Sequence, residues 1–288
     1  MLIILSLAGL IALGCQQPSG IELKSDPADE IEVIPLTEAD STVDRPSIDT
    51  SAVLPADFDT YRGIMVVNRV KYDAGIRVDS VAFSRVFFAD TTRPVQFQGR
   101  IVGYYGLPLG VVALNGGVML PVPHRVQLRR VLRDSIAGVE YLRDLTTTFQ
   151  ANTQYVWLAT GGAFGSFAAS IHSPDNLTVL SPRGGSVLSR NENLETRWTG
   201  QGDSISIIIS SFNVLTHRVN PLLHLKPRVN RNRAIIPAKI LRALPRDRFF
   251  YVLTFVVANR SRSNVFGGYG GKVIVQSASV YNCYVEIR

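Results

Sequence analysis

Four histidines, two cysteines and a body short of acids are the raw material for any chemistry in this chain. His124, His172, His217 and His224 share no helical metal-binding spacing and no HEXXH occurs, so a metal site is not expected. His217 and His224 flank "RVNPLL", where Pro221 interrupts regular structure, and surface loops are expected for both. Cys15 and Cys283 are too few for a disulfide framework. Cys283 lies in the alternating "SVYNCYVEIR" and is expected as a small buried hydrophobe. A serine elbow fails in "GGAFGSF", because Ala168 stands where its second glycine belongs. "FGGYGGKV" fails as a phosphate loop, with Phe266 for the first glycine and Val273 for the Ser or Thr, and reads as a hairpin turn. Two carboxylates for glycoside hydrolysis can converge from any spacing. The body holds only twelve acids, however, mostly beside arginines or in turns. The expectation is therefore a non-enzymatic protein with no cofactor.

Two basic runs and two aromatic pairs remain. "HRVQLRRVLRD" carries Arg125, Arg129 and Arg133, which share one face of a helix and equally one face of a strand. The surrounding pattern favours the strand. "HRVNPLLHLKPRVNRNR" carries Lys226, Arg228, Arg231 and Arg233, expected in a long loop. Such bases suit phosphate or sulfate groups, as in lipopolysaccharide or acidic polysaccharide. The bland readings are a solvated face, or pairing with acids of the same chain. Tyr104 and Tyr105, with Phe266 and Tyr269, are the alternative site: exposed rings that could stack on sugars in a carbohydrate-binding or polysaccharide-processing protein.

The elements that must position these residues come in distinct zones. Residues 15–60 hold eleven acids against Lys24 and Arg45, a charge of −9, while the rest of the body carries +16. That field attracts polyanions and anionic surfaces. No nucleic-acid-binding signature accompanies it, so nucleic acid is not an expected partner. The segment 15–60 is polar, Pro-containing and nearly free of aromatics, the composition of a disordered tether. Ahead of it, residues 2–14 are uncharged and apolar, too short to span a bilayer but suited to a secretory signal core.

That signal ends in "ALGC", which resembles the lipobox of bacterial lipoproteins, with small Gly14 at the cleavage position and Cys15 following. The commonest lipobox has Leu where Ala12 stands, and a small residue where Leu13 stands. The resemblance implies removal of residues 1–14, acylation of Cys15 with palmitate-type chains, and retention at the cell envelope, at the outer membrane or cell surface. Two or three acyl chains at about 0.8 kcal/mol per buried CH₂ hold stably where one is marginal. An envelope protein partner is a further expectation of such a location.

From Tyr61 short apolar runs alternate with Gly, Pro and Asp, an all-β pattern. Two β-sandwich-like modules are expected, 61–172 and 173–288. In the second, Leu194, Thr196 and Trp198 share a face, as do Ile205, Ile207 and Ile209. "FFYVLTFVV" is apolar on both faces and should be a central, covered strand. "VLSPRGGSVLS", Trp198 and the helix-like "IPAKILRALP" resemble the immunoglobulin-like or fibronectin-like modules of bacterial surface lipoproteins. That resemblance implies a sandwich with Trp198 in its core.

Overall fold

The computed structural model describes residues 31–36, 43–44, 62–97, 99–128, 134–162, 165–215, 218–228, 232–246, 250–264 and 272–288. The fold is nearly all β. The strands of the first half are β1 (Ile31–Pro35), β2 (Val43–Asp44), β3 (Gly63–Asp73), β4 (Val78–Phe97), β5 (Arg100–Gly106), β6 (Val112–Leu114), β7 (Gly117–Val118), β8 (Leu120–Leu128), β9 (Asp134–Asp144), β10 (Gln154–Ala159) and β11 (Phe167–His172). Those of the second are β12 (Thr178–Ser181), β13 (Val187–Leu188), β14 (Leu194–Thr199), β15 (Ser204–Asn213), β16 (Arg218–Pro227), β17 (Arg233–Ile236), β18 (Phe250–Asn264) and β19 (Lys272–Ile287). One helix, α1 (Ala238–Ala243), falls within "IPAKILRALP".

A twelve-stranded sheet runs through the molecule in the order β1-β16-β15-β18-β19-β3-β4-β5-β9-β8-β2, with β13 beside β19. The border expected at 172/173 falls between β11 and β12, yet this sheet crosses it. β3 lies parallel to β19 over eleven residue pairs, Val273↔Gly63 to Cys283↔Asp73. β18 is central as expected, flanked by β15 and β19, with Tyr251 through Ala258 all buried.

One face of this sheet is covered by two smaller sheets, giving sandwich-like layers. β12-β14-β17 and α1 close over Ile207, Ile209, Leu253 and Phe255, with Trp198 and Cys283 in the same core. Both were expected to be buried, and they are 1% and 0% exposed. β11-β10-β6-β7 closes over Met65, Val67, Val86 and Val275, with Trp157 at its centre. The other face is buried too, through Ile64, Val66, Val70, Val256 and Val280. No second sheet among the described residues packs there, and the connectivity explains how it is shielded. β1 and β2 lie at opposite edges, and β4 also pairs directly with β9. Nine strand-to-strand steps would set those edges about 43 Å apart if the sheet were flat. The chain from Leu36 to Val43 reaches at most about 25 Å. The sheet must therefore curl, turning the second face inward.

Three expectations change here. The acidic segment 15–60 is not wholly outside the fold, because β1 pairs with β16 and buries Ile31 and Val33. "RVNPLLHLKP" is not a loop but strand β16, His217 before it lies outside the described residues, and Pro221 is tolerated where the β15–β16 register shifts, after Ile209. His224 is accordingly not on the surface but 3% exposed within that strand.

Candidate functional site

The outer face of β12-β14-β17 carries the charge arrangement most open to a ligand. Along β14 the alternation of a strand sends Leu194, Thr196 and Trp198 to the core and leaves Glu195 and Arg197 facing out. Thr196 fixes this orientation by donating its hydroxyl to Ala234 O at 3.0 Å, and Trp198 packs 6.1 Å from Phe255. Asn232, at φ 56, turns the chain into β17, and its carbonyl accepts from Trp198 N at 3.0 Å. Arg233 thereby becomes the cross-strand partner of Arg197, and a register shift in β12 sets Ser181 on the other side of Arg197.

Two like charges directly opposite on a sheet repel. Here a single oxygen lies between them: Glu195 Oε1 accepts from Arg197 Nε at 2.9 Å and forms an ion pair with Arg233 Nε at 2.6 Å. The Arg197 hydrogen bond, helped by the charges of both arginines, holds the Glu195 carboxyl below its usual range against the opposing effect of desolvation. The side chains are 57%, 54% and 38% exposed, so solvent screens these pairs and they add little to the stability of the fold. Both guanidinium groups keep their terminal Nη donors without partners among the described residues.

Arg233 therefore belongs to this site, and Arg228, exposed just beyond the end of β16, precedes it in the chain. Lys226 does not join them: it lies on β16 opposite Glu32 of β1, one of the acids of the tether segment. Arg125 lies on β8, a strand as the all-β surroundings favoured, far along the main sheet from β16. Arg129, Arg133 and Arg231 lie outside the described residues, as do Gly14, Cys15, Phe266 and Tyr269. Tyr104 and Tyr105 are neighbours on β5 that point to opposite faces, each half-buried under a guanidinium. Arg62 lies 4.9 Å from the Tyr104 ring centre and Arg93 4.3 Å from that of Tyr105. The pair thus offers no joint platform to a sugar. Arg197 stands outside both basic runs and meets Arg233 only across a ladder, so no local sequence pattern marks it.

Two other polar clusters are closed networks. Glu140 on β9 takes Arg85 Nε at 2.8 Å and meets His124 Nδ1 at 3.3 Å, and the His124 ring lies 4.3 Å from Phe87. Burial acts to raise the Glu140 pKa, but the His124 hydrogen bond and the Arg85 charge prevail and hold it low. A shallow cleft of about 200 Å³ is lined by Arg143, Thr148, Gln150 and Tyr155. The Arg143 guanidinium there already donates to Leu114 O and Gly117 O. Among the described residues no group of three or more His, Cys, Asp or Glu could hold a metal ion, and no helix is long and apolar enough to cross a membrane.

Cys283 donates to Pro182 O at 3.2 Å, and burial, with the nearby Asp73 carboxylate, pushes its pKa up to about 12. The thiolate is the reactive form. Native protein is expected to leave Cys283 unmodified by iodoacetamide at neutral pH and to alkylate it fully in denaturant, read by peptide mass. No protein-family model matches the chain, and no curated protein matches its sequence.

Proposed function

We propose that this chain is a lipoprotein of the bacterial cell envelope, anchored through Cys15, whose β body is a non-enzymatic binding module for anionic envelope polymers. The observation that carries the binding half is the Arg197–Arg233 pair, two guanidinium groups side by side at the surface with terminal donors unspent. Guanidinium forks match the oxygens of phosphate and sulfate. The +16 body would draw such a polymer in. Lipopolysaccharide and acidic polysaccharide are the envelope ligands of that chemistry. The anchor half is supported by "ALGC" and by the acidic segment behind it. Outer membrane or cell surface is the location this reading favours.

Each half has its own test. Mass spectrometry of the mature N-terminus is expected to find an acylated Cys15 as first residue, and an unmodified N-terminus elsewhere removes the anchor. Binding of the full chain to immobilised lipopolysaccharide should weaken steeply with added salt. Arg197→Ala and Arg233→Ala should each cost about tenfold in affinity, the scale of one charge-assisted contact. A salt-insensitive interaction indifferent to both substitutions sinks the binding half.

A further inference from the structure

We infer that Glu195 is a built-in competitor, occupying the gap between Arg197 and Arg233 that a tetrahedral oxyanion of a polymeric ligand would take. This rests on the anion-binding reading above and adds how the site is held in waiting.

The geometry of the contact is the argument. Glu195 brings one oxygen, Oε1, to both guanidinium Nε atoms, while its second oxygen accepts nothing among the described residues. One shared acceptor leaves the terminal donors of both forks idle. A phosphate or sulfate group presents three or four oxygens about one centre and can serve two forks together, which a single carboxylate oxygen cannot. Cross-strand partners have Cα atoms only about 4.5–5.5 Å apart, so one small anion can touch both guanidinium groups.

Nothing else restrains the Glu195 side chain. Among the described residues its two ion pairs are the only polar contacts of the side chain, and it is 38% exposed, so displacing it requires breaking weak surface pairs. Once displaced, it remains at hand as a negative charge repelling the incoming anion. The backbone of β14, by contrast, is fixed by pairing on both sides, so the arginines stay in register when the carboxylate leaves. The site is therefore charge-neutralised in part when empty, and a weak or monovalent anion gains little by entering it.

The test uses the full chain and inorganic polyphosphate as probe, at low salt, with thermal melts to verify that each variant is folded. Glu195→Gln removes the competing charge and is expected to tighten binding about three- to fivefold, the scale of one exposed ion pair. Arg233→Ala is expected to weaken it. In Glu195→Gln combined with Arg233→Ala, the gain from the glutamate change should shrink, because the two residues act through one contact. If the arginine variants weaken binding while Glu195→Gln leaves it unchanged or weakens it as well, Glu195 is not a competitor and the inference fails alone. If the arginine variants leave polyphosphate binding untouched, the anion-binding reading itself is what fails.

Discussion

Asp73→Ala is expected to lower the stability of the protein by about 3 kcal/mol, the cost of leaving its three hydrogen-bond donors, part-buried or buried, short of a partner. Asp73 ends β3, is 4% exposed, and accepts from three donors: Gly75 N at 2.9 Å, Gly184 N at 3.0 Å and the Tyr281 hydroxyl at 2.9 Å. Those donors belong to the β3–β4 turn, to the turn after β12, and to β19. One carboxylate thus ties together segments distant in sequence, where the two halves of the chain meet. Without it each donor is left short of a partner, at about 1–3 kcal/mol apiece when buried. Asn at this position keeps the shape but turns an acceptor into a donor aimed at other donors, so it should restore only part of the loss. Burial acts to raise the Asp73 pKa, but the bonds from Gly184, Gly75 and Tyr281 prevail and hold it below the ordinary value. Its contribution is then present above the usual carboxylate range and fades as pH falls through the lowered value. Denaturant midpoints of wild type, D73A and D73N, followed by tryptophan fluorescence, check the ranking. A D73A midpoint within error of wild type would show that the turns hold without the carboxylate.

The second large effect is an acid weakness at a higher pH. Burial, and then the charges of Lys226 and Arg260, lower the His224 pKa to about 4. Among the described residues its Nε2 has no hydrogen-bond partner. The folded protein therefore holds this ring neutral, while the unfolded chain takes up a proton near pH 6.5. Stability should begin to fall as pH drops below about 6.5, with roughly 3 kcal/mol lost by pH 4, following linkage. Asp73 and Glu140, whose values are lowered, act below that window, since their stabilising charge is kept until pH falls beneath the ordinary carboxylate range. The two windows can be separated. His224→Leu removes the upper loss and leaves the lower one, and it gives up no hydrogen bond at Nε2. A stability curve flat between pH 7 and 4.5, or unaltered by His224→Leu, would contradict this account.

What could be read in the sequence was what local pattern decides. The inward set Leu194, Thr196 and Trp198, the covered strand at "FFYVLTFVV" and the short helix at "IPAKILRALP" follow from alternation, apolar runs and turn residues. What escaped depended on partners far along the chain. β1 was hidden because its acid-rich surroundings outweighed the alternation in "IEVIP", where Ile31 and Val33 turn inward and Glu32 outward. β16 was hidden by Pro221 and by its bases, although β15 and β1 on either side hold it in the sheet. The Arg197–Arg233 pair depended on the β14–β17 register, which no local pattern specifies.

The docking of β1 also resets a length. Had the body begun at Tyr61, forty-five residues would lie between it and Cys15, a leash of up to about 160 Å. With Ile31 already in the sheet, fifteen residues remain, and the leash cannot exceed about 55 Å. For an anchored protein that confines the body to a thin layer above the bilayer. If Cys15 is anchored as proposed, the β1–β16 ladder, five residue pairs long, is the joint through which a pull on the anchor would enter the fold.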